Sequence, residues 1–228
     1  MICAVCLGSD TELSHLIEGK EYFKCNFCDV LFLSPKDHLD PYEEKDRYSQ
    51  HKNDIYDPQY RKFLSALYRP LTQKLKPDMK GLDYGCGPGP ALAEMFREDN
   101  YTIDIYDPYF FPDKSLLNKK YDFIVCTETA EHFYEPNKEF MRLDSLLEKG
   151  GWLGVMTNFY NDSIDFEDWY YRKDPTHVVF YTEQTLEAIA LMMTWSIEIP
   201  ANNAVSYTHL RAHETEADLV CRLLLEKK

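Results

Sequence analysis

Apolar residues recur along this chain with two periods. In "PQYRKFLSALYRPLTQKL", Phe63, Leu64, Leu67, Leu71 and Leu75 fall at helical spacing, the stripe of an amphipathic helix, with Pro70 predicting a kink. The apolar run Gly81 to Tyr84 predicts a strand, and a helical pattern follows its glycine turn from Ala91 to about Asp99. "YTIDIYD" and "YDFIVCT" predict two more strands, Phe140 to Leu147 a helix, and "GGWLGVMT" another strand. "TEQTLEAIALMM" predicts a helix with Thr182 as its N-cap, and "WSIEI" a last strand. Strand and helix alternate throughout, so the pattern predicts an α/β fold built on a doubly wound, mostly parallel sheet. Residues 34–57 are polar, Pro-punctuated and rich in Asp, Glu and Tyr, and read as a linker wrapping the main domain.

The first 33 residues follow another logic. Cys3-x-x-Cys6 and Cys25-x-x-Cys28 flank a segment with the β-rich pieces "YFKC" and "LFL". Each Cys-x-x-Cys turn points two sulfurs at one place, and two such turns complete a tetrahedral thiolate site for zinc. Two disulfides and a redox pair are the alternatives. The first suits an oxidising compartment, and the second occurs singly in a βαβ setting. A four-cysteine zinc ribbon is the favoured reading of residues 1–33. With four protein ligands the metal would be structural and would supply folding energy to a piece with little core. Cys86 and Cys126 read as small buried hydrophobes.

Composition narrows the partners. The 228 residues suffice for one medium α/β domain with a small module. A formal net charge of -14 repels phosphate backbones and opposes nucleic acid as a partner. No apolar run can span a bilayer, and "MICAVCLGSD" lacks the basic start and apolar core of a signal peptide. A cytoplasmic protein acting on a small molecule, or on another protein, is the expectation; oligomeric state is open.

The candidate chemistry begins at "GLDYGCGPGP". A dinucleotide fingerprint spaces its glycines G-x-G-x-x-G over a pyrophosphate. Here Gly85, Gly87 and Gly89 run G-x-G-x-G, with Cys86, Pro88 and Pro90 interleaved and Asp83 just ahead. Pro90 removes an N–H at the helix start and Asp83 adds negative charge. Both features oppose a pyrophosphate and suit a ligand that carries ammonium and sulfonium charge.

With "LDYGCGPGP", "YDPYF", "YDFIVCTETAEHF", "LLEKGGWLGVMT" and "DPTHVVFYT" in this order, the chain resembles the class I S-adenosylmethionine-dependent methyltransferases. It resembles in particular small bacterial members with an N-terminal zinc ribbon. The resemblance implies that the Gly85, Cys86, Gly87 and Gly89 turn lines the methionine part of the cofactor, with Asp83 meeting its amino group. It also implies that Asp107 takes the ribose hydroxyls, and that Glu128, Glu131 and His132 shape the cofactor and acceptor pocket. Asp107 also reads as a turn residue before Pro108, a reading that its spacing of just over twenty positions beyond the glycine turn weakens. The stretch between Phe110 and Lys120 is short for the family's third strand and adenine contacts.

Transfer from a sulfonium needs alignment more than acid–base help, and a base only where the acceptor must lose a proton early. His132 and His177 are the candidates, with His51 more distant; each also reads as a hydrogen-bonded structural histidine. Trp169, Tyr170 and Tyr171 could line an acceptor pocket or simply pack, and Tyr181 resembles a family position facing the site. The competing class is a zinc-ribbon binding protein that keeps the cofactor domain as a scaffold.

The segment from Val205 to Lys228 resembles a sequencing-library adapter translated in frame, matching over Ser206 to Glu214 and again over Leu219 to Glu226. On that reading the methyltransferase domain is residues 58–204, and 205–228, with His209, His213 and Cys221, carry no function. The family's closing antiparallel hairpin would then lack its second strand, unless "LVCRLLL" fills the slot.

Overall fold

The computed structural model describes residues 1–50 and 54–209. His51, His213, Cys221 and the "LVCRLLL" stretch lie outside the described residues.

Two sheets are built in chain order. Strands β1 (Thr11–Ile17), β2 (Lys20–Cys25) and β3 (Leu31–Leu33) form an antiparallel ribbon. Helices α1 (Pro41–Ser49) and α2 (Pro58–Thr72) follow. The main sheet opens with β4 (Lys80–Tyr84), α3 (Ala91–Glu98), β5 (Thr102–Tyr106) and β6 (Tyr121–Thr127). The chain continues through α4 (Pro136–Leu146) and β7 (Leu147–Met156) to the short β8 (Val179–Phe180), which joins the ribbon's sheet, and then α5 (Glu183–Met193). The main sheet closes with β9 (Trp195–Ala201) and β10 (Ala204–His209). The main sheet has the order β5-β4-β6-β7-β10-β9; its first four strands are parallel, and β10 runs antiparallel to both neighbours.

Alternation along β6 makes this a double-faced sheet. Phe123 and Val125 enter one core with Leu64, Leu67 and Leu71 of α2 and Phe96 of α3. Ile124 and Cys126 enter the other, with Phe140 and Leu143 of α4 and Leu186 and Ile189 of α5. Successive strand residues point to opposite faces, so one apolar run serves both layers. Thr182 caps α5 by accepting from Thr185 N, and α2 runs on through Pro70 to Thr72.

Three expectations change. Residues 34–57 are more than a linker, because they carry α1. Asp40 caps that helix by accepting from Tyr42 N and Glu43 N, while Glu43 returns a bond to Asp40 N. The ribbon is not a separate module either. Leu31 and Phe32 of β3 pair with Phe180 and Val179 of β8, and Cys3, Val5 and Phe32 share one core with Phe180 and Tyr181. The closing hairpin is complete. Val205 and Tyr207 are fully buried in β10, between β7 and β9, so part of the segment read as adapter-derived fills the slot. The difficulty in placing a third strand has a counterpart: β5 is the sheet edge, and a 3-10 turn (Lys114–Asn118) follows it.

Candidate active site

The loops leaving β4, β5 and β6 surround a cavity of about 920 Å³, roofed by α1 and by the loop before β8. Ligands in doubly wound sheets sit at the carboxyl ends of the strands, where this cavity lies.

Its floor is the glycine turn. Gly85 N and Cys86 N donate to Tyr106 O, at 2.8 and 3.2 Å, which ties the turn to β5. Gly85 and Gly87 have φ of +77° and +62°, a region that side chains strain to adopt. A Cβ on Gly85 would stand 2.2 Å from Thr129 Cγ2, so only glycine fits there. Thr129 Oγ1 lies 2.9 Å from the carbonyls of both Gly85 and Thr127, joining the turns after β4 and β6. Gly89 and Pro90 lead into α3. The Cys86 thiol is buried and pushed well above its usual range by that burial, then by Asp83 and Asp107, so it is a protonated wall group and no nucleophile.

The carboxylates differ from one another. Asp83 is 2% exposed, and its Oδ1 has no hydrogen-bond partner among the described residues. Burial lifts its pKa to about 7. Asp107 is engaged: Oδ1 accepts from Tyr109 N and Phe110 N at 2.8 and 3.0 Å, and Oδ2 from Gly87 N at 3.0 Å. It therefore does the turn residue's work while also pinning the glycine turn. Glu128 sits in the left-handed region at φ +48°, with Oε1 unpartnered. Burial, and then the charge of Glu131, lift its pKa to about 9.

Glu131 and His132 follow in the same turn after β6, and His177 meets them from the loop before β8. One donor atom from each falls within 4.8 Å of the other two. His132 Nδ1 is 3.0 Å from Thr176 O, and His177 Nδ1 is 2.7 Å from Tyr171 O. The two rings meet edge-on at 4.7 Å, and Tyr48 of α1 meets His132 edge-on at 5.2 Å. Burial holds His132 down to about 4, so it is neutral at ordinary pH. Glu131 is fully buried; neither of its oxygens has a hydrogen-bond partner within 3.5 Å among the described residues, and the Tyr171 hydroxyl is near enough to interact with it.

The roof was missed in the sequence. Arg47 Nη2 is 2.5 Å from Asp174 Oδ2, and Asp174 also accepts from Thr176 N and Oγ1. Although burial opposes it, these bonds hold Asp174 well below the usual carboxylate range. Glu44 accepts from Tyr48 and Tyr109 hydroxyls at 2.9 and 2.6 Å, tying α1 to the loop after β5. The available signal was Asp40-Pro41-x-Glu43, a helix-start pattern inside a segment whose polarity suggested coil. Among the aromatic candidates, Tyr170 and Tyr171 line the cavity, while Trp169 packs against Phe166 and Phe180. Tyr181 is fully buried and donates to Ala130 O at 2.9 Å, so it supports the turn after β6 instead of facing the site.

Fold and site together define a class. Residues 56–191 match the family model described as a methyltransferase domain, and the chain belongs to that family. None of the curated proteins matches the chain's sequence. Among solved structures, it is similar to a 1,6-didemethyltoxoflavin-N1-methyltransferase from Burkholderia thailandensis. That likeness has 12% identity over 88% of this chain and 100% of that one, with a TM-score of 0.49. It is also similar to the magnesium protoporphyrin IX methyltransferase of Synechocystis PCC 6803, at 12% identity over 74% and 94% of the chains and a TM-score of 0.47.

Proposed function

We propose that the protein transfers the methyl group of S-adenosylmethionine to a small-molecule acceptor seated at the Glu131–His132–His177 end of the cavity. Asp83 carries this reading: a buried carboxylate with an unpartnered oxygen, beneath a glycine turn, is suited to a ligand's ammonium group. When bound, the cofactor supplies an electrophilic methyl on a sulfonium. The residues would do the rest. Gly85, Cys86, Gly87 and Gly89 would line its methionine part. Asp107 keeps one free lone-pair site on Oδ2, since its other oxygen already takes two N–H groups. It therefore suits one ribose hydroxyl and not a two-hydroxyl clamp. Enclosing both reactants aligns them, an effect that supplies ~7–11 kcal/mol in well-oriented reactions. With Nδ1 facing a carbonyl, His132 and His177 each offer Nε2 to an acceptor proton.

Calorimetry with S-adenosylmethionine and S-adenosylhomocysteine tests this. Binding of either, lost in Asp107→Ala, supports it; no heat from either molecule ends it.

The same proposal puts structural Zn2+ in the ribbon. Cys3 and Cys28 Sγ are 3.6 Å apart, as are Cys6 and Cys25 Sγ, and all four are free thiols within 4.8 Å of one another. A tetrahedral zinc with bonds of ~2.3 Å spaces its sulfurs about 3.8 Å apart, so the four fit. The cytoplasm, which keeps such thiols reduced, is the matching compartment. No described helix is long and apolar enough to cross a membrane.

A further inference from the structure

Glu131, His132 and His177 each bring one potential ligand atom within 4.8 Å of the other two. A backbone carbonyl can only accept, so the contacts of His132 with Thr176 O and of His177 with Tyr171 O put each ring proton on Nδ1. With Nδ1 so engaged, Nε2 is the nitrogen each ring has left to offer a ligand. His132 Nε2 lies 3.9 Å from Glu131 Oε1, too far for a hydrogen bond and close enough to share a third atom. Glu131 is fully buried, neither oxygen has a hydrogen-bond partner within 3.5 Å among the described residues, and the Tyr171 hydroxyl that interacts with it is neutral, so a positive neighbour would offset the cost of burying its charge. Imidazoles that ligate metals typically donate their other ring N–H to a carbonyl or carboxylate, which fixes tautomer and ring direction. Both histidines here are held that way, by carbonyls on one loop.

We infer that Glu131, His132 and His177 form a second metal site, separate from the four cysteines, for a divalent first-row transition cation. Bonds of ~2.0–2.2 Å place ligand atoms about 3–4 Å apart. Donor atoms already within 4.8 Å reach that spacing by small side-chain movements. Two imidazoles and one carboxylate suit Zn2+, Fe2+ or Co2+, whereas the thiolate ribbon selects a softer set. Three protein ligands leave coordination positions open, and the three residues line the cavity.

The role of this site rests on the methyltransferase reading; its occupancy does not. A cation there would hold an acceptor oxygen and lower its pKa, which makes a hydroxyl- or enol-bearing small molecule the fitting acceptor. The acceptor's proton then passes to bulk water, because the two imidazoles are ligands and no longer bases. The O–CH3 bond forms as the S–CH3 bond breaks, with its electron pair left on sulfur.

The test adds Co2+ to the full-length protein with its ribbon already loaded with zinc. Calorimetry and the visible spectrum follow binding. One equivalent of Co2+ is expected, with d–d bands and no sulfur-to-cobalt charge transfer. Glu131→Gln and His177→Gln should weaken binding at least 100-fold while keeping the ribbon zinc, the circular-dichroism spectrum and S-adenosylhomocysteine binding. No Co2+ binding by the unaltered protein, or equal binding by both variants, overturns the site. Co2+ binding without S-adenosylhomocysteine binding upholds the site and removes its part in methyl transfer. The reverse result removes the metal site and leaves the methyltransferase reading standing.

Discussion

At Asp83 and Glu128, burial sets ionisation more than any partner does, with consequences for stability and for binding. Their pKa values rise from 3.8 to about 7 and from 4.5 to about 9. A folded state with raised acid pKa values binds more protons than the unfolded chain. The stability from these groups is therefore complete below their ordinary range and is lost as pH climbs through the folded values. The ligand-free protein should melt several degrees lower near pH 9 than near pH 5. Glu128→Gln should remove much of that fall, as scanning calorimetry across pH would show. Under the proposed function the ligand's ammonium needs Asp83 ionised, so S-adenosylhomocysteine affinity should drop by up to about tenfold per unit below pH 7, and Asp83→Asn should flatten the profile. Asp107 orders three N–H groups; losing charge-assisted bonds of ~1.5–3 kcal/mol each should weaken the same ligand at least ~100-fold in Asp107→Ala. Glycine spacing with Asp83 ahead of it was legible from sequence, because short-range turn chemistry dictates it. That Asp83 Oδ1 lacks a partner was not, because burial depends on α3, whose Ala93 N–H meets the carboxylate, and on β6 closing over it.

Among the elements, α1 shows how local signals can be outweighed in reading. Its capping box is written in the sequence, but few of its residues are apolar, so it looks like coil until its roof position is seen. Asp40→Ala should cost ~1 kcal/mol in denaturant unfolding. Arg47→Ala frees the loop that presents His177; under the proposed function it should raise KM for the acceptor more than Kd for S-adenosylhomocysteine. At the other end of the domain, Thr194 closes α5 with φ +56°, a left-handed conformation that a β-branched residue adopts at a cost of ~1–2 kcal/mol. Thr194→Gly should therefore raise the unfolding midpoint, and a lower one would show that the threonine's contacts outweigh its strain. The strands and helices of the main sheet were legible because their periods differ and their lengths are ordinary. The two-residue β8 was not, since its pairing with the ribbon is its only reason to be a strand.

For the molecule as a unit, the ribbon and the main domain share one core, and β10 occupies the middle of the antiparallel end of the sheet. A chain ending at Ala204 leaves β7 and β9 without the strand between them and should not fold; recovery of a cooperative melt from it would refute this. Tyr207→Ala should cost ~3–5 kcal/mol by opening a large cavity. If the four cysteines hold zinc as proposed, chelation should lower the single melting transition instead of adding an earlier one, because Cys3, Cys25 and Cys28 belong to the same core as Phe180. By itself, the sequence determined the alternating α/β order, the glycine turn with Asp83 and Asp107, and the paired Cys-x-x-Cys knuckles, because each shows as a local pattern or as a short motif at a recognisable separation. Only the tertiary structure decided that α1 roofs the cavity, that β3 joins β8, and that Glu131, His132 and His177 converge. Those arrangements bring together residues as far apart as Arg47 and Asp174, and long-range packing carries no local period to read.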